Sequence, residues 1–391
     1  MNTPRLRFKD LGEINYPEWE WKKIEDCCLL IKDGTHGTHK DVIAGIPLLS
    51  AKDIYENSVH IPFDARKISE HDYKKIYSKY ELKKEDVLIT IVGTLGRTAI
   101  IDSNTPRIAF QRSVAVMRPS TQLITAKYLN YVCNSHNFQN EIEIRKKKGA
   151  QPGIYLGELS SISIPVPSLP EQQKIADFLS TYDEKIRLQR ERVETLERRK
   201  KGLLQKVFSQ EIRFKAEDGN EFPEWGKKKI EEICSHFKSG KYISASDILP
   251  MGIYPVYGGN GIRGYANHFN HNGDYIVIGR QGALCGNVRR ISGLNYCTEH
   301  AIAVQANSDN CTFFLEYLFI VMRLGQYSDQ GAQPGLAVNK LVKLETEVPC
   351  LKEQEKIATF FTAIDDQINI ERERLSTMET IKKGLLQGLF C

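Results

Sequence analysis

The sequence has no uninterrupted apolar run long enough to span a bilayer and no signal-peptide pattern at its start. Its nine cysteines lack metal-ligand spacing: Cys27 and Cys28 are adjacent and the others are scattered. An odd number without a framework reads as reduced thiols in a cytoplasmic protein. No phosphate-binding loop is present, since no glycine is followed at the required spacing by Gly-Lys-Ser/Thr. Gly258-Gly259-Asn260-Gly261 lacks the dinucleotide pattern and its βαβ frame. There is no nucleophile elbow, no His-Glu-x-x-His and no Asn-Pro-Pro-Tyr or Asp-Pro-Pro-Tyr of an amino-methyltransferase; Asn15-Tyr16-Pro17-Glu18 does not match. His36 and His39 are three apart, but the nearby Asp33 and Asp41 are too ordinary to imply a metal. Catalysis and a resident cofactor are therefore not expected of this chain.

What is present is a repeat, and a period this long excludes a solenoid. Residues 149–208 recur at 331–390 with an offset of 182, and positions 171–208 share 20 of 38 residues with 353–390. A second match has an offset of 206: Arg7-Phe8-Lys9 with Arg213-Phe214-Lys215, Pro17-Glu18-Trp19 with Pro223-Glu224-Trp225, and Lys22-Lys23-Ile24-Glu25 with Lys228-Lys229-Ile230-Glu231. Each half thus has a matching start, a divergent middle (about 26–148 and 232–330) and a closely matching end. The middles share only scraps, such as Val92-Gly93-Thr94-Leu95-Gly96 against Ile278-Gly279-Arg280-Gln281-Gly282. A fixed frame with two different inserts suits a protein that reads two different things with one geometry.

The matching ends are helical. Pro170 and Glu171 form a reasonable helix start, with an acidic residue in the first turn. Apolar residues then alternate four and three apart, a heptad seam of Ile175, Leu179, Tyr182, Ile186, Val193 and Leu196. The copy runs Ile357, Phe361, Ile364, Ile368, Leu375 and Met378, and both seams are polar at one equivalent place, Gln189 and Glu371. Each helix would be about 57 Å long if continuous. Such seams need a partner, and the economical one is the other copy, in an antiparallel intramolecular coiled coil with a pseudo-two-fold axis. Gly202 and Gly384 interrupt the helices at a cost of about 1 kcal/mol each, which suggests close helix approach or a kink.

The middles read as mixed α/β (α+β). Asp86–Val92 and Asp274–Ile278 are β-branched strands closed by glycine turns. Thr125–Asn140 and Thr312–Leu324 are short helices with Thr125 and Thr312 as caps. The expected domains are 1–168, a helix at 169–210, 211–350, and a helix at 351–391.

Net charge is +5, but basic residues concentrate at Arg145-Lys146-Lys147-Lys148 and Arg187–Lys201. The glycine-broken loops carry groups suited to base edges and phosphates. In the first half these are Thr35, His36, His39, Lys40, Lys52, Thr94, Arg97, Gln111, Arg112, Lys146, Lys147 and Gln151. In the second they are Lys241, Tyr257, Asn260, Arg280, Gln281, Arg289, Arg290 and Gln333.

The layout resembles the specificity (S) subunit of type I restriction-modification enzymes. The carrying motifs are Gly149-Ala150-Gln151-Pro152-Gly153-Ile154, Ile164-Pro165-Val166-Pro167 and Pro170-Glu171-Gln172-Gln173-Lys174-Ile175-Ala176, with second copies at Gly331–Leu336, Val348-Pro349 and Glu353–Ala358. Ile31–Thr38, Gly45–Leu49 and Lys52-Asp53-Ile54 are similar to the start of a family recognition domain. One departure is Lys352 where the first copy has Pro170. The resemblance implies two target-recognition domains on a helical spacer. They would bind an asymmetric, split site in double-stranded DNA. Two methyltransferase (M) subunits with S-adenosylmethionine would dock on the helices, and ATP- and Mg-dependent restriction (R) subunits would join. The alternative is a structural adaptor whose globular ends bind proteins.

Overall fold

The computed structural model describes residues 4–10, 12, 14–147, 149, 151–282, 284–329 and 335–390. The repeat-motif residues Ala150, Gly331, Ala332, Gln333 and Pro334, and Lys148, lie outside them. The chain forms two compact units, Met1–Gln189 with Arg374–Cys391, and Arg190–Glu373.

In the first unit, a four-stranded antiparallel sheet runs in the order Cys28–Asp33, Val114–Pro119, Val87–Thr90, Thr98–Ile100. The second unit repeats that order with Cys234–Ser239, Ala301–Ala306, Tyr275–Gly279 and Val288–Ile291. Each unit has a second sheet containing one parallel pair, Leu48-Leu49 beside Ala109-Phe110 and Val256-Tyr257 beside Tyr296-Cys297. Each also has a two-stranded ribbon, Glu20–Lys23 with Ser163–Val166 and Gly226–Lys229 with Glu345–Val348. The divergent middles therefore share the order of their four-stranded sheet and one parallel pair, which local identity could not reveal, while their second sheets differ in strand number.

The register also corrects the sequence match. Asp33 faces Ala115 and Ser239 faces Ile302, while Ala115 faces Ile89 and Ile302 faces Ile278. Ile89 is thus the equivalent of Ile278, and Val92 that of Gln281. The apparent match of Val92 to Ile278 is three residues out of step. Glycine turns of similar composition follow both strands at different distances.

The long helices are Leu169–Phe208 and Leu351–Leu389. The division between units runs through them, because each helix half shares a core with a sheet. Ile175, Ala176 and Leu179 pack with Leu389 and Phe390 in the first unit. Leu204 and Val207 pack with Ile357, Ala358 and Phe361 in the second. Within the second unit, Arg192 bonds Glu371 (3.0 Å) and Lys200 bonds Asp365 (2.5 Å), so one number rises as the other falls. Within the first, Lys382 reaches Asp183. The helix halves are antiparallel in each unit, and the seam residues Ile175, Leu179, Ile186, Val193, Ile357, Phe361 and Ile368 are buried. Tyr182, Leu196, Ile364, Leu375 and Met378 are half-buried.

Three local expectations fail. A Cβ on Gly202 or Gly384 would meet nothing within 4 Å, so neither marks close approach. Gly388 does: a Cβ there would lie 2.8 Å from the Leu6 side chain, whose N–H donates to the Gly388 carbonyl (2.9 Å). Thr125 caps its helix by accepting from the Tyr128 N–H, but Thr312 is already helical and its hydroxyl accepts instead from the Ala306 N–H.

The repeated Glu-Gln-x-Lys at each helix start is a clamp. Glu171, fully buried, accepts from Arg7 Nε (3.0 Å) and Trp19 Nε1 (3.0 Å). Glu353 repeats this with Arg213 and Trp225. Gln172 Oε1 accepts from the Thr125 N–H, and Gln354 Oε1 from the Cys311 N–H, both at 2.9 Å. Lys174 and Lys356 donate to the carbonyls of Lys9 and Lys215.

Candidate nucleic-acid interface

Antiparallel pairing brings the chemistry-bearing loops together. The strands Cys28–Asp33 and Val87–Thr90 end where Val114–Pro119 and Thr98–Ile100 begin, so loops 34–45, 91–97 and 111–113 leave one end of the sheet. Backbone bonds tie them. The Thr35 N–H donates to Phe110 O (2.8 Å), Arg112 N–H to Thr35 O (3.0 Å), Gln111 N–H to Leu49 O (2.8 Å), and Gly93 N–H to Pro152 O (2.9 Å). Thr35, His36, Lys40, Lys52, Thr94, Arg97, Gln111, Arg112, Lys147 and Gln151 therefore sit on segments joined at that end. Gly34 permits the closeness: a Cβ there would lie 2.1 Å from Phe110 O.

The second unit repeats the arrangement. The Lys241 N–H donates to Cys297 O (3.0 Å), Thr298 N–H to Tyr257 O (2.9 Å) and Arg280 N–H to His300 O (2.9 Å). A Cβ on Gly240 would lie 2.1 Å from Cys297 O, the counterpart of Gly34. Lys241, Tyr257, Asn260, Arg280 and Gln281 thus gather at the equivalent end, and His300 Nδ1 is 2.7 Å from Gln281 Oε1.

Lys40, Lys52, Arg112, Lys241 and Arg289 are exposed, and among the described residues none has an ion-pair partner. Positive charge without a protein partner is what an anionic surface requires. Other candidates are occupied. His36 bonds Asp33 (2.6 Å) and Lys146 bonds Glu143 (2.8 Å). Lys147 lies over the Tyr155 ring. His39 is buried, its Nε2 2.8 Å from Thr35 Oγ1 and its Nδ1 3.3 Å from Asp72; it stiffens its loop rather than facing solvent. It also lines a recess of about 360 Å³ with Thr35, Asp72, Lys75 and Tyr80. Arg290 corrects the expectation most clearly. Its guanidinium bonds Glu316 (2.9 Å) and Thr362 (3.2 Å) and lies 4.0 Å from the Phe313 ring centre, so it fastens a strand to two helices. Gln333 lies outside the described residues.

Burial pushes His236 below its ordinary value and His271 down to about 4, so neither adds positive charge near neutrality. Burial raises the Tyr257 hydroxyl, which stays a donor. No group of three or more metal-ligating side chains occurs among the described residues, and no described helix is long and apolar enough to cross a membrane.

Residues 298–300, not singled out from the sequence, form a turn at the end of their own sheet equivalent to that of 111–113 in the first unit. Its signal was an apolar pair, a three-residue polar turn and an all-apolar strand in both halves: Ala109-Phe110 then Val114–Met117, and Tyr296-Cys297 then Ala301–Val304.

A family profile described as the type I restriction modification DNA specificity domain matches twice, over residues 17–198 and 223–380. The chain belongs to this family. Over 148 residues it is 41% identical to the EcoprrI specificity subunit of Escherichia coli, a match spanning 37% of each chain. It is 26% identical over 412 residues to the putative MjaX specificity subunit of Methanocaldococcus jannaschii, covering 97% of this chain and 94% of that one. The crystal structure of a type I restriction-modification S subunit from M. genitalium has the same fold, with a TM-score of 0.65 at 19% identity over 100% and 99% of the two chains. The two family matches fall on the two halves whose sheets share one strand order. Specificity-domain chains are thus matched by both sequence and fold.

Proposed function

We propose that the chain is the DNA-reading subunit of a type I restriction-modification complex and performs no chemistry itself. Each unit would read one half of a split, asymmetric site in double-stranded DNA, and the paired helices would set the unread gap. Methyltransferase subunits carrying S-adenosylmethionine would act on adenine at that site, and ATP- and Mg-dependent restriction subunits would join for cleavage. One observation carries this reading: each sheet, at its equivalent end, presents amide side chains and cations without an ion-pair partner among the described residues, with different side chains in each unit.

The helices offer a matching surface for partners. Phe178 (38% exposed) and Leu188 (51%) on the first recur as Phe360 (37%) and Ile370 (50%) on the second, each 182 residues on. Apolar side chains repeated at equivalent exposed positions suit two copies of one subunit.

Salt dependence separates this from the adaptor reading. With five or more phosphate contacts, affinity of the complex for duplex DNA should fall about a hundredfold or more between 50 and 200 mM salt. Affinity flat across that range would support the adaptor instead.

A further inference from the structure

The two sheets supply a residue-level equivalence that the divergent sequences hide. Val114 faces Thr90 and Ala301 faces Gly279, at matching places in the two strand orders. Counting back, the turn Gln111-Arg112-Ser113 occupies the place of Thr298-Glu299-His300. The Val114 N–H donates to Gln111 O and the Ala301 N–H to Thr298 O, both at 3.0 Å, so the turns share a closing bond. Beneath each lies a glycine with no room for a Cβ, Gly34 and Gly240. Backbone position is fixed, and only the side chains differ.

They differ in sign. Arg112 is exposed and has no ion-pair partner among the described residues. At the equivalent position the Glu299 side chain is 31% exposed; its Oε1 is 3.2 Å from His300 Nε2, while its Oε2 is buried and accepts no hydrogen bond among the described residues. A buried acceptor without a partner costs free energy, which a rotation of the side chain that exposes it to a donor would recover. A carboxylate on a DNA-facing surface repels phosphate, so its use there is to receive a base amino group.

Resting on the function proposed above, we infer that these turns are the matched specificity elements of the two units. Arg112 donates to the acceptor edge of guanine, and Glu299 accepts from the exocyclic amino group of cytosine or adenine. His300, held by Gln281, positions the Glu299 carboxylate.

The test uses the full chain in complex with its methyltransferase subunit, on duplexes carrying every single-base change in the wild-type motif. Arg112→Ala should cut discrimination at one position of one half-site, roughly 5- to 150-fold, leaving the other half-site strict. Arg112→Lys should retain affinity but not that discrimination. Glu299→Ala should relax one position of the other half-site, at a cytosine or an adenine, and the motif states which. Uniform weakening on all duplexes would make Arg112 a phosphate contact and overturn the inference. Full stringency in both variants would overturn it equally. A wild-type complex that methylates no split site would instead refute the function proposed above.

Discussion

Glu171 and Glu353 are fully buried carboxylates, each held by an arginine and a tryptophan from a segment far upstream. A buried charge is tolerated when paired and is costly once its partner is removed. Arg213→Ala should therefore destabilise the second unit by about 3 kcal/mol, read as a shifted midpoint in urea. A loss under 1 kcal/mol would mean that water satisfies Glu353. The repeat made these residues conspicuous, but nothing local says that Glu171 meets Arg7, 164 residues away. The same limit governs the loops. Arg112 and Lys241 could be singled out from residue type and glycine neighbours. That Arg290 is spent on Glu316 and Thr362, and His39 on Thr35 and Asp72, depends on tertiary neighbours that no spacing encodes.

The elements were legible where their signal is periodic. The heptad seam picks out Ile175, Leu179, Ile186 and Val193, all buried, because a helix face depends only on spacing along one segment. The shared sheet order was not legible, since strands of three to six residues leave few positions to align and side chains at the loop end are free to differ. Composition also misled: three-residue drift between glycine turns paired Val92 with Ile278 rather than Gln281. For the seam, Ile186→Asp or Ile368→Asp would bury an unpaired carboxylate among apolar neighbours, since the isoleucines are 7% and 4% exposed. Each should cost roughly 3 kcal/mol and lower Tm, and impair complex assembly before base preference changes. Normal melting and assembly would contradict the paired-helix account.

At the scale of the molecule, the duplication is the argument. One sheet order occurs twice, with one clamp at each helix start and one glycine under each of the turns 111–113 and 298–300, while the exposed side chains at the two sheet ends differ. A chain built this way is suited to a target with two unlike halves, and its charge at those sheet ends is suited to a polyanion. The measurement that tests this most directly is a single-molecule methylome. The host would lack other adenine methylation, and the chain would be co-expressed with its methyltransferase subunit. The account predicts methylated adenine at one split, asymmetric motif, which vanishes when this chain is omitted. A stable complex with an active methyltransferase that leaves the genome unmodified, or a motif that persists without this chain, would contradict it.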